Sequence, residues 1–300
     1  MFPIAYHPIY KHPLPDGHRF PMLKYDLLPQ QLLLEGTAIE SDFFEPQKAD
    51  LNGVLAVHSQ DYVSKLINLQ LDAKAVRKIG FPLSEELVKR ELIIAQGTIS
   101  GCKKALETKI AFNIAGGTHH AFSNSGEAFC LLNDQAIAAQ YLLNNKLASK
   151  ILIVDLDVHQ GNGTAEIFSD NNKVFTFSMH GKNNYPFKKE ISDLDIALDD
   201  GTKDQEYLSV LMETLPKLVA TQKPDFIFYL AGVDILASDK LGKLSCTIEG
   251  CKKRDAFVLS MCKELEIPVQ VSMGGGYSPE IKTIIEAHSN TFRVAKNIYF

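Results

Sequence analysis

The chain has 300 residues, 45% hydrophobic and 22% charged, the make-up of a folded globular protein rather than a disordered or fibrous one. A net charge of −5 without a basic stripe argues against direct nucleic-acid binding. Five cysteines (Cys102, Cys130, Cys246, Cys251, Cys262), with no CxxC pair, argue against a disulfide framework and for a reducing, cytoplasmic setting.

In chain order, apolar runs predict strands over 53–57, 110–114, 151–156, 174–179, 226–231 and 268–273. Helical periodicity lies between and after them, over 84–106, 134–144, 204–220, 247–265 and 279–288. Ser84, followed by Glu85 and Glu86, and Asp204 read as helix starts. Several strands are continuously apolar, as expected when helices cover both faces. The alternation predicts an α/β fold, a three-layer α/β/α sandwich around a mostly parallel sheet. No Pro/Ser-rich linker interrupts it, so one domain over 1–300 is expected. No apolar run approaches the roughly 18 residues a membrane span needs, and no basic-then-apolar leader opens the chain. The charged stretches 188–190 and 251–255 are expected to be solvated.

Four strand ends carry residues suited to chemistry. IAFNIAGGTHHA (110–121) places the tandem His119–His120 after a Gly pair. Imidazoles titrate near neutrality, so two of them can supply the base and the acid of a hydrolysis. His7, His12, His58 and His288 stand alone and read as satisfied structural histidines. In DLDVHQGNG (155–163), Asp157 and His159 are two apart and share a face if the chain stays extended. FIFYLAGVD (226–234) ends in Asp234, which completes a three-ligand set of the catalytic zinc type. VSMGGGYSPE (271–280) ends a strand in three glycines followed by Tyr277, whose O–H can polarise a carbonyl. Ligands of such sheets bind beyond the carboxyl ends of the strands, where all four motifs fall.

AGGTHHAFSNSGEAFCLLND, DLDVHQGNG, AGVD and GGGY resemble, in order and spacing, the motifs of zinc-dependent histone deacetylases and their bacterial relatives, the class IV branch most of all. The opening PIAYHPIYKHPLPDGHRFPMLKYDLL and the stretch VHSQDYV are similar to the same group. The resemblance implies the arginase–deacetylase fold and one Zn2+ held by Asp157, His159 and Asp234. It implies His120 as general base and acid, His119 assisting, and Tyr277 donating to the carbonyl oxygen. Asp155 matches the carboxylate that orients His119. Asn162 stands behind His120 where many relatives carry Asp, and class IV members resemble the chain in having Asn there. Phe129 matches one wall of an acyl-lysine tunnel, with Ala128 in place of the usual Gly. Tyr185, Pro186 or Phe187 would supply the opposite wall, and Gly275 lies on the substrate side of the triple glycine. The resemblance further implies a K+ near Asp155, Asp157, His159 and Ser178; His180 reads as structural.

The implied substrate is acylated lysine in proteins or peptides, carrying acetyl or longer groups. The alternative is a small acylated amine such as an acetylpolyamine. A mildly acidic rim would help if the substrate were a basic tail. Binuclear manganese ureohydrolases need a DxHxD run, and Gly161 occupies its last position. A metal-free reader of acylated lysine would be expected to lack a ligand or Tyr277, and none is missing.

Overall fold

The computed structural model describes residues 2–300. Eight strands form one sheet: β1 (Ile4–Ala5), β2 (Phe43–Phe44), β3 (Ile110–Asn113), β4 (Ile151–Asp155), β5 (Val174–Gly181), β6 (Leu194–Leu198), β7 (Phe226–Leu230) and β8 (Val269–Ser272). Their spatial order is β2–β1–β3–β8–β7–β4–β5–β6, and every pairing is parallel. The α-helices are α1 (Lys24–Leu34), α2 (Leu51–Leu55), α3 (Gln60–Ile67), α4 (Ala73–Ile79), α5 (Glu85–Thr108), α6 (Asp134–Asn144), α7 (Asn162–Phe168), α8 (Asp204–Gln222), α9 (Ile248–Glu264) and α10 (Ile281–Tyr299).

Strands β3, β4, β7 and β8 are wholly buried because helices cover both faces. Neighbouring residues of β3 show the two layers. Ala111 faces Gly101 of α5, while Phe112 packs on Phe292 of α10 with ring centroids 4.3 Å apart. The result is the expected three-layer sandwich. Helix α5 starts as read, the Ser84 hydroxyl accepting the Leu87 N–H at 3.1 Å.

Some expectations fail for physical reasons. Residues 53–57 fall in and just after helix α2, not in a strand; the Asp50 carboxylate accepts the Asn52 N–H and starts a turn. An apolar run so short does not separate strand from helix. Helix α10 continues to Tyr299 instead of stopping near 288. The stretch 251–255 is solvated only in part: Lys253 is exposed, but α9 turns Cys251, Arg254 and Asp255 inward at helical spacing. Arg254 then donates to the carbonyls of Leu156 and Gly232, at 3.3 and 2.6 Å, while Asp255 balances its charge at 2.8 Å. One buried cation thus ties the ends of β4 and β7 together. His288 is also unlike its reading: it is buried, and neither ring nitrogen has a partner among the described residues.

His58 is structural, as expected. Its Nδ1 lies 2.9 Å from the Phe122 carbonyl and its Nε2 accepts the Asn133 N–H at 3.0 Å. A proton on Nε2 would confront that N–H. Burial lowers the imidazole to about 4, against the backbone hydrogen bonds that favour its charged form. The unfolded chain therefore binds a proton that the fold refuses between about pH 6.5 and 4. Stability from this site is full above that window and lost as pH falls through it, on the order of 3 kcal/mol. Urea midpoints measured across the window should fall less steeply with acid in His58→Gln than in the wild type; parallel slopes would contradict the account.

Candidate active site

The strands β3, β8, β7 and β4 are neighbours in that order, so their carboxyl ends open onto one place. Beyond β3 come His119 and His120; beyond β4, Asp157 and His159; beyond β7, Asp234; beyond β8, the glycines and Tyr277. The loops after β3 and β8 touch through their backbones. A Cβ on Gly117 would stand 2.9 Å from the Gly274 Cα, and both residues have positive φ (+77° and +65°). Only glycine meets both demands at low cost.

Asp157, His159 and Asp234 are buried, and one ligand atom from each lies within 4.8 Å of the others. His159 Nδ1 is 3.0 Å from Asp157 Oδ1 and 3.2 Å from Asp234 Oδ2. Backbone N–H groups hold the carboxylates: Gly275 donates to Asp157 at 2.8 Å and Val158 to Asp234 at 2.9 Å. Burial and the Asp157 charge raise the Asp234 carboxyl to about 7. Burial acts on Asp157 as well, but the His159 hydrogen bond and the His119 charge hold it well below the carboxylate range. Burial disfavours a charged His159; its bonds to both carboxylates outweigh that and raise it to about 10. The site is built to hold positive charge.

The tandem histidines have unlike partners. His119 Nδ1 is 2.6 Å from Asp155 Oδ2, and His120 Nδ1 is 2.6 Å from Asn162 Oδ1. Burial opposes charge on His119, but Asp155 raises it overall. Burial, with the charges of His119 and His159, drives His120 well below its ordinary value. Behind Asn162 lies buried Glu127, which accepts from Asn162 Nδ2 at 2.6 Å and pairs outward with Lys78. A carboxylate only accepts, so the amide NH2 must face Glu127 and the amide oxygen must face His120. His120 Nδ1 then carries the hydrogen, and the lone pair sits on Nε2.

Phe129 is buried, its ring 5.1 Å from both Phe20 and Phe81 and 6.2 Å from Tyr277. Across the opening, the half-buried Tyr185 sets its ring edge-on to His120 at 5.1 Å. Phe187 is 89% exposed, whereas Tyr185 is half-buried against His120. An inner cavity touches His119, His120, Asp157, His159, Gly275 and Tyr277. An outer cavity of about 490 Å³ reaches Phe129, Tyr185 and Phe187. Burial and the charges of Asp157 and Asp234 keep the Tyr277 phenol protonated, far above its ordinary range. His180 is buried, its Nδ1 3.0 Å from the Ser178 hydroxyl.

A family model described as histone deacetylase domain matches residues 18–292. The chain belongs to the histone deacetylase family. Histone deacetylase 2 of Arabidopsis thaliana is 31% identical over 89% of this chain and 72% of that protein. An uncharacterized protein of Picosynechococcus is 46% identical over 99% of both chains. Human histone deacetylase 1 is 27% identical, with 88% of this chain matching 58% of that protein. Among solved structures, a histone deacetylase homologue complexed with SAHA superimposes with a TM-score of 0.86, at 23% identity over 99% of this chain and 84% of that one. The HDA15 HD domain does so at 0.81 and 20% identity, over 99% of this chain and 88% of that one. These structural likenesses support the deacetylase fold, and membership makes the chain a histone deacetylase-family hydrolase.

Two residues of this site had no role in the sequence reading. Glu127 carried only its place in GEAFC. Lys24 is fully buried, donates to the Gly274 carbonyl at 2.8 Å, and is lowered to about 8 by burial despite the nearby carboxylates. Ala128 adopts φ +46°, where an L side chain costs roughly 1–2 kcal/mol and Gly costs little. Gly also loses more entropy on folding, about 0.5–1 kcal/mol. Ala128→Gly should therefore raise stability by up to about 1 kcal/mol, read as a higher urea midpoint; a lowered midpoint would mean the left-handed turn is unstrained.

Proposed function

We propose that the chain is a zinc-dependent N-acyl-lysine deacylase, removing acetyl or longer acyl groups from lysine in proteins or peptides. The observation that carries this reading is the buried Asp157–His159–Asp234 group lying beside two differently partnered histidines. Two carboxylates and one imidazole are a donor set of the catalytic zinc type. The fit is supported by His159, whose Nδ1 faces an oxygen of each carboxylate, so that three donor atoms converge on one place. Bound there, zinc would polarise the amide carbonyl and acidify water.

The chain's own groups do the rest. His120 uses its Nε2 lone pair to take a proton from the attacking water and later delivers it to the leaving lysine amine. His119, held by Asp155, keeps positive charge close and assists electrostatically. Tyr277 donates its O–H to the carbonyl oxygen as charge builds; losing such a donor costs about 10²–10³ in rate. Phe129 and Tyr185 flank the acyl-lysine stem, Ala128 narrows one side, and Gly275 holds Asp157 while leaving room for substrate. A structural K+ beside Asp155, Asp157, His159 and Ser178 belongs to the same reading, supported by the paired register of Asp155 and Ser178. Among the described residues, no helix is long and apolar enough to cross a membrane. Five buried free thiols fit a reducing compartment such as the cytoplasm.

Asp234→Ala should lose hydrolysis of acetyl-lysine peptides and most of its bound zinc by elemental analysis. Full stoichiometric zinc in both Asp157→Ala and Asp234→Ala would overturn the reading. Asn162 tests the base. Asn162→Asp alone sets a second carboxylate against Glu127, so the clean comparison adds Glu127→Gln. In that double variant the new carboxylate stabilises the imidazolium and raises the His120 pKa. The base must be neutral to act, so the acidic limb of kcat/KM should move to higher pH. An unmoved limb in the fully metallated double variant would remove His120 from the role of base.

A further inference from the structure

The mouth of the site has a charge opposite to that of the whole chain. Arg19, Lys78, Lys240 and Lys243 line the outer cavity, and no Asp or Glu does. Lys78 is neutralised by Glu127, and Lys243 has Asp200 only at 3.9 Å. Among the described residues, Arg19 and Lys240 have no carboxylate within 4.0 Å. The Arg19 guanidinium stands 5.0 Å from the Phe129 ring centre, so its charge sits on the tunnel wall itself. The acid next to Lys240 is turned inward. Asp239 accepts the N–H groups of Leu241, Gly242 and Tyr277, at 2.8, 2.9 and 2.6 Å. The outer cavity thus lacks the acidic lining that would suit a basic tail.

We propose that the rim selects acyl-lysine lying in acidic peptide segments, with Asp or Glu close to the modified lysine on either side. This rests on the deacylase reading above. A flanking carboxylate meets Arg19 and Lys240, the two cations left without partners. A polybasic tail or an acylated polyamine meets like charge there. The interaction is made outside the reacting atoms, so it acts on encounter and binding, appears in KM, and is screened by salt.

The test uses the zinc-loaded full chain and three acetyl-lysine peptides that differ only in flanking residues: Glu, Ser or Lys. At low ionic strength kcat/KM should fall in that order, with about a tenfold spread carried by KM. The spread should collapse at about 0.5 M salt, where the screening length is only a few Å. Lys240→Glu combined with Arg19→Gln should flatten or reverse the order, with zinc content checked to show that the site is intact. Equal values for the three peptides, or a preference for Lys flanks, would overturn the inference while leaving the deacylase reading standing. No turnover on any of the three would overturn the deacylase reading, and this inference with it.

Discussion

Two carboxylates, Asp157 and Asp234, are buried side by side with oxygen atoms on a single imidazole nitrogen. Such a pair is tolerable only if hydrogen bonds and positive charge meet it, because an unpaired buried charge costs several kcal/mol. The surrounding structure answers that demand. Gly275 and Val158 give backbone N–H groups, and Arg254 locks the ends of β4 and β7 that carry the two acids. Lys24 adds a cation at the Gly274 carbonyl. The triple glycine follows from the same constraint. A side chain at Gly275 would strike the Asp234 carboxylate, and one at Gly274 would strike Leu230.

The tandem histidines show how the same residue type is given two characters. Asp155 places a full negative charge on the Nδ1 side of His119, and the ring is pushed towards protonation. His120 meets an amide oxygen, so its orientation is fixed without that charge, and burial keeps it neutral. Glu127 makes the amide unambiguous. It stands one residue farther from the imidazole than a direct carboxylate would, and Lys78 takes part of its charge at the surface. The tautomer is set, while the basic strength is left to the cavity.

Much of this was legible because the strands around the site are continuous apolar runs that break at glycine, and because their ends carry paired side chains. The adjacency of His119 to His120 and the two-residue step from Asp157 to His159 are local facts. Asp234 could be joined to them through the topology of a parallel sheet. Lys24 escaped notice because its partner, Gly274, lies 250 positions away and no local period points to it. Arg254 and Asp255 were within reach of the sequence, since their spacing from Cys251 is that of one helix face. Residues 53–57 were not, because four apolar residues in a short run suit either element.

Net charge does not describe the mouth, because it sums over a surface on which charges are not evenly spread. The chain has five more acids than bases, yet several acids beside the site are spent inward. Asp239 collects three backbone N–H groups, Glu127 holds Asn162, and Asp157 and Asp234 face His159. Each carboxylate drawn into the interior to organise the chemistry is one fewer at the opening. Arg19 and Lys240 remain outside with no acid beside them. The positive mouth is thus the outer consequence of a negative centre.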